Sequence, residues 1–271
     1  MSASKSELLA IDVRQSTVKM CASAKAAHVG SSLSSVDILS VLYGGASNAC
    51  PDRVDSPDRD IIIMSKGHAA AATYAVLGHA GYFPLEWLDA YCSDGGPLGG
   101  HVTKGSVPGV ELSTGSLGHG LPFATGIAIA RSRQGNPGRI FVVMSDGECD
   151  EGSNWEAALL AGHHRLDNLT VLIDRNGIQS LAGTEQTVRL EPLAEKWTAF
   201  GWSVHDVDGH NHVEISAALE RAQSEAKPTV LICRTVKGKG VSFMEDQILW
   251  HYRPPSESEL MAALSELGGA P

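Results

Sequence analysis

Four short blocks of apolar residues constrain this chain more than any other feature: Ile61-Ile62-Ile63-Met64, Ile140-Phe141-Val142-Val143-Met144, Leu169-Thr170-Val171-Leu172-Ile173 and Val230-Leu231-Ile232-Cys233. Apart from Thr170, each is apolar at successive positions rather than at alternate ones. That pattern marks strands covered on both faces. Residues 202–207 form a fifth candidate. Between the blocks, helical periodicity predicts helices over 8–26, 35–43, 69–80, 121–133, 154–165, 193–200 and 213–226. A last helix over 257–267 follows Pro254-Pro255, with Ser256 as its N-cap. Alternating strands and helices imply an α/β fold, a parallel sheet with helices on both faces. Ligands in such sheets sit outside the carboxyl ends of the strands. The stretch 93–115 holds seven glycines and two prolines without a period. It reads as a long loop of the kind usually kept for function. No repeat or linker interrupts residues 1–271, so a single domain is expected, with frayed ends at 1–5 and 268–271.

Charge and cysteine usage narrow the function. The formal net charge is −10 and no Lys/Arg cluster stands out, which argues against nucleic acid as a partner. No apolar run approaches the ~18 residues of a membrane span. The N-terminus, with Lys5 and Glu7, does not resemble a signal peptide. Five scattered cysteines without CxxC spacing suggest neither a zinc site nor a disulfide framework, and fit reduced thiols in a cytoplasm. An anionic ligand must therefore be held locally, by a metal, a helix N-terminus or a few placed cations. Eleven histidines, several beside glycine, are the remaining oddity.

The second block runs into Ser145-Asp146-Gly147-Glu148-Cys149-Asp150-Glu151-Gly152. Four carboxylates this close repel one another unless a cation or partner offsets them. The third block runs into Asp174-Arg175-Asn176-Gly177-Ile178. Right-handed crossovers bring parallel strand ends to one edge, so Asp146 and Asn176 can face one site. A carboxylate, an amide oxygen and a backbone carbonyl suit magnesium, which takes few protein oxygens and leaves the rest to phosphate or water. The N-terminus of the helix over 154–165 would add positive dipole toward an anion. An acidic surface turn followed by an unrelated Asn-Gly turn is the alternative.

Asp146-Gly147 followed thirty positions later by Asn176 resembles the signature of thiamine-diphosphate enzymes, with Ser145 where that family usually has glycine. Further motifs resemble transketolases along nearly the whole chain, in that family's order: Ala27-His28-Val29-Gly30, Ser65-Lys66-Gly67-His68, Gly100-His101, the stretch from Pro108 through Gly115-Ser116-Leu117 to Gly120, Thr235-Val236-Lys237-Gly238-Lys239-Gly240 and Trp250-His251. The resemblance implies thiamine diphosphate and Mg2+ as cofactors, with Ca2+ or Mn2+ able to substitute. Asp146, Asn176 and the carbonyl of Ile178 would bind the metal. Gly147 and Glu148 would join the diphosphate site, and Gly115, Ser116 and Leu117 the rings. Lys237 would offset diphosphate charge, a solvated basic turn being the other reading. His28 and His251 would move protons, His101 would line the donor sugar and His68 would touch the cofactor.

The implied activity is transfer of a two-carbon ketol unit from a ketose phosphate to an aldose phosphate. Imidazoles titrating near neutrality suit its proton transfers. The resemblance covers only the diphosphate-binding half of such enzymes. It implies a partner subunit carrying the pyrimidine-binding domain and the activating glutamate, in an α2β2 assembly, with Glu151 meeting that glutamate at the interface. A deoxyxylulose-phosphate-synthase-like or 2-oxo-acid-decarboxylating relative is the alternative, disfavoured by His28, His101 and His251. A dinucleotide-binding domain lacks its GxGxxG here. His79, His163, His164, His205, His210 and His212 are expected to be structural. His119, where full-length transketolases more often have glutamine, is left out of the catalytic set.

Overall fold

The computed structural model describes residues 3–268. Helix α1 (Lys5–Ser23) starts the chain, followed by two short helices, α2 (Val29–Ser34) and α3 (Val36–Val41), and strand β1 (Ile61–Met64). Helix α4 (Ala70–His79), the long loop and α5 (Gly120–Gln134) lead to β2 (Ile140–Ser145), α6 (Gly152–His163) and β3 (Leu169–Arg175). The rest runs α7 (Thr184–Thr187), α8 (Leu193–Ala199), β4 (Ser203–Asp208), α9 (His212–Ala222), β5 (Thr229–Arg234) and α10 (Glu257–Glu266). The five strands are parallel in the order β1-β2-β3-β5-β4.

Two hydrophobic clusters explain why the strand blocks are apolar at successive positions. Ile62, Met64, Phe141, Val143 and Leu172 face one cluster, shared with α1, α2, α3, α4 and α9. Ile61, Ile63, Val142, Met144, Val171 and Ile173 face the other, shared with α5, α6 and α8. Neither face of β1, β2 or β3 meets water, so polar alternation has no place there. At the edge, β4 is buried only at Ser203 and Val207, which is why its signal in the sequence is the faintest.

The helix ends follow capping chemistry. Ser4 and Glu7 form a capping box on α1, and Ser256 and Glu259 another on α10. The expected fraying over 1–5 is thus corrected at Ser4 and Lys5, while Met1, Ser2 and residues 269–271 lie outside the described residues. Helix α2 has no counterpart in the sequence reading. Its six residues include Gly30 and three serines, poor helix formers, and it exists because all six are buried against neighbours. The 93–115 loop carries no helix or strand. It closes over the β1 exit at Gly67, where a Cβ would stand 2.3 Å from the Thr114 carbonyl carbon and oxygen.

Candidate active site

The carboxyl ends of β1, β2 and β3 open into a cavity of about 230 Å³. It brings together His28, His68, His101, Gly115, Leu117, Asp146, Gly147, Asn176, Ile178, Lys237 and His251. The histidines enter from four separate segments. His28 is 4.9 Å from His251, 5.5 Å from His68 and 5.7 Å from His101, ring centre to ring centre. His28 caps α2 with φ 73°, a left-handed conformation that costs a non-glycine residue about 1–3 kcal/mol. Its N–H donates to the His251 carbonyl at 3.0 Å, which holds the strained residue and the distant histidine in one unit.

Burial sets the electrostatics of the histidine end. It lowers His28 to about 4, helped by His101, Lys237 and Lys66, and His251 to about 3, helped by Lys237, His28 and Lys66. His68 lies well below its ordinary value through burial and the Lys66 charge. These three imidazoles are neutral at pH 7, each with one donor and one acceptor nitrogen. Lys237 Nζ stands 3.2 Å from His251 Nδ1. An ammonium only donates, so Nδ1 accepts and the His251 proton sits on Nε2.

The opposite end is built of oxygens. Strands β2 and β3 are neighbours with Ser145 opposite Asp174, so their exits lie side by side. Asp146 accepts from Gly147 N–H at 2.8 Å on one oxygen. On the other it accepts from Gly177 N–H at 2.6 Å and Arg175 at 3.2 Å. Burial and nearby Asp174 raise Asp146 above the usual carboxylate range, against the lowering effect of these donors. Asn176 Oδ1 accepts from Ile178 N–H at 3.2 Å, and the Ile178 carbonyl accepts from Lys237 at 3.2 Å. Among the described residues no group of three or more His, Cys, Asp or Glu is placed to hold a metal. One carboxylate, one amide oxygen and one carbonyl remain, an all-oxygen set that fits a hard divalent cation completing its shell from an anion and water. The Asp146 oxygen that accepts only from Gly147 keeps lone-pair capacity for such a cation.

Several expected residues lie elsewhere. Glu148 does not reach the cavity: it is fully buried, accepting from Ser65 Oγ, Gly118 N–H at 3.0 Å and Ser145 N–H at 3.3 Å. Its carboxylate ties the β1 and β2 exits to the glycine loop. Ser116 lines an adjoining open, largely apolar depression of about 590 Å³ with His101, Gly115, His119, Pro122 and Phe123. Glu151 is exposed at the start of α6, beside Gly118. The N-terminus of α6 is not among the lining residues either, because the turn Gly147–Asp150 intervenes. Lys237, open between two readings in the sequence, is 1% exposed and points into the site.

The structure adds residues that sequence reasoning did not assign. Ser31, Ser145, Gln179 and Ser180 also line the cavity. Beneath it, Lys66 and Asp174 form an ion pair with no side-chain exposure at all. Lys66 also donates to the Ser31 carbonyl at 2.8 Å, and Asp174 accepts from Ser34 at 2.6 Å and from Thr235. Both lie inside motifs recognised in the sequence, but a motif does not say which side chain turns inward.

Residues 5–271 match the family model described as "Transketolase, thiamine diphosphate binding domain". The chain is 45% identical to an apulose-4-phosphate transketolase subunit of Actinobacillus succinogenes, over 89% of its own length and 87% of that protein. To a 6-deoxy-6-sulfo-D-fructose transketolase subunit of a Clostridium species it is 40% identical, over 94% of this chain and 93% of the other. The transketolase structure from Campylobacter jejuni superposes with a TM-score of 0.93 at 31% identity, covering 99% of this chain. The chain spans 43% of that structure, less than half its length. Fold, site and relatives agree: the chain belongs to the transketolase family as its thiamine-diphosphate-binding domain, and is a transketolase-type subunit.

Proposed function

We propose that this subunit holds thiamine diphosphate through Mg2+ bound by Asp146, Asn176 and the Ile178 carbonyl, and serves ketol transfer between phosphorylated or similarly anionic sugars. The observation that carries this reading is the polarity of one cavity, oxygen donors at one end and four histidines at the other, with Lys237 between them. When bound, the cofactor supplies the electron sink for breaking and remaking a carbon–carbon bond. The chain's own residues do the rest. Gly147 N–H and Lys237 meet the diphosphate, and Gly115 and Leu117 face the rings. His68 touches the cofactor. His28 offers a neutral imidazole to sugar hydroxyls, accepting a proton on one nitrogen or donating from the other, His251 presents its Nε2–H, and His101 lines the same space. A polyol donor gives all three a partner, whereas a pyruvate-like donor has fewer hydroxyls to engage them, which favours sugar donors over 2-oxo acids.

The partner subunit would bind the pyrimidine ring and supply the activating glutamate, meeting Glu151, in an α2β2 assembly in the cytoplasm. Two observations support a partner: the relatives of matching length are named as subunits, and the depression beside Ser116 is apolar and open. The test of the metal site is calorimetric titration of thiamine diphosphate into the assembled enzyme with and without Mg2+. Asp146→Ala is expected to abolish the Mg2+-dependent part of binding. Binding that keeps its Mg2+ dependence in that variant would overturn the assignment.

A further inference from the structure

His210 stands outside the cavity, yet its ring is joined to the segment that delivers Lys237. Its Nε2 accepts the backbone N–H of Val236 at 2.8 Å. Strand β5 ends at Arg234, so this N–H lies past the last ladder bond and has His210 in place of a strand. An accepting Nε2 puts the ring proton on Nδ1, and Nδ1 faces Asp37 Oδ2 at 2.6 Å. The tautomer is therefore fixed from both sides. Asp37 is itself anchored: it is 4% exposed, pairs with Arg14 on α1 and accepts from His212 Nε2 at 2.9 Å on its second oxygen.

On the far side of this contact the Lys237 side chain is long and costly to order. Its stem lies against Gly30, where a Cβ would meet Cγ of Lys237 at 3.4 Å. Its ammonium reaches the Ile178 and Gln179 carbonyls at 3.2 and 3.3 Å. The backbone at Val236 sets where the Lys237 side chain starts its reach to those carbonyls. Thr235, next in the chain, bonds to Asp174, and Gly238 N–H donates to Gly30 at 2.9 Å. The turn is thus pinned before, at and after Val236, and the middle pin is a side chain from the β4–α9 connection.

We propose that His210, oriented by Asp37, is a positioning residue for Lys237, and so for the diphosphate end of the site. This rests on the proposed cofactor role of Lys237 but assigns a residue outside the cavity. The geometry selects its replacement: a carboxamide carries an acceptor and a donor at about the separation of the two imidazole nitrogens, so His210→Gln can serve both Val236 and Asp37, whereas His210→Leu serves neither.

Two measurements test it. In the full chain without cofactor, amide hydrogen exchange of the 235–239 segment in His210→Leu should quicken at least tenfold, while 229–234 in β5 exchanges as in wild type. In the assembled enzyme with Mg2+, Kd for thiamine diphosphate should rise at least tenfold in His210→Leu and return to within threefold of wild type in His210→Gln. His79→Leu, which breaks the comparable His79–Ser16 contact far from the cavity, controls for general loosening and should leave Kd unchanged. Uniform acceleration of exchange across the sheet, an unchanged Kd in His210→Leu, or a His210→Gln variant no better than His210→Leu would each overturn the proposal. Wild type that fails to bind the cofactor would overturn the cofactor reading instead, and the exchange result would still decide whether His210 holds the turn.

Discussion

Replacing Lys66 by Met should destabilise the chain far more than a surface lysine would. Its ammonium meets the Asp174 carboxylate with neither side chain exposed, and it supplies the donor for the Ser31 carbonyl. Removing it leaves a buried carboxylate supported only by Ser34 and Thr235, at a cost of about 3–5 kcal/mol. For a chain of this size each kcal/mol lowers Tm by about 2–4 °C, so a drop on the order of 10 °C is expected. Burial alone raises Asp174, but the Lys66 charge and the bonds it accepts outweigh burial and hold it below the usual range. In wild type that contribution is present above about pH 4 and lost as pH falls. In the variant, burial is no longer opposed by the Lys66 charge, and the carboxylate becomes a liability as pH rises. The deficit should therefore be largest near neutrality and shrink toward pH 4. Scanning calorimetry across that range reads both effects. Lys66→Met/Asp174→Asn removes the orphaned charge and should recover a substantial part of the loss. A single-variant cost under about 1 kcal/mol, typical of exposed pairs, or a double variant no more stable than the single, would refute the reasoning.

Other consequences follow from individual contacts. Burial raises Asp37, but His210, His212 and Arg14 overcome it and hold the carboxyl far below its ordinary value. Its stabilisation is thus present above about pH 4 and lost on acidification, and Asp37→Asn should flatten the dependence of Tm on pH in that range. Gly67→Ala places a methyl 2.3 Å from the Thr114 carbonyl carbon and oxygen. The loop must move, at a cost of about 1–3 kcal/mol, and calorimetric titration should show weakened cofactor binding because Gly115 follows Thr114.

The sheet was legible because burial on both faces favours apolar residues at successive positions, so β1, β2, β3 and β5 are written as largely apolar blocks. The edge strand β4 was fainter for the same reason. Helix α2 was invisible because its glycine and serines are held by packing rather than propensity. In the site, glycine and histidine motifs at strand ends pointed to a common edge, and the cavity gathers most of those residues. The sequence could not distinguish a carboxylate that faces the cavity from one that faces the turn. Asp146 and Glu148 are two residues apart in one acidic cluster, and only the first lines the cavity. The Lys66–Asp174 pair and the bond from Val236 to His210 join residues 108 and 26 positions apart, and no local pattern encodes such pairings.

The most direct test of the subunit reading is reconstitution. The purified chain is mixed with Mg2+, thiamine diphosphate, a ketose-phosphate donor and an aldose acceptor, with and without a second chain carrying a pyrimidine-binding domain and its glutamate. Ketol transfer that appears only in the mixture, and is lost with Asp146→Ala, is the expected result. Full activity from this chain alone would contradict the account.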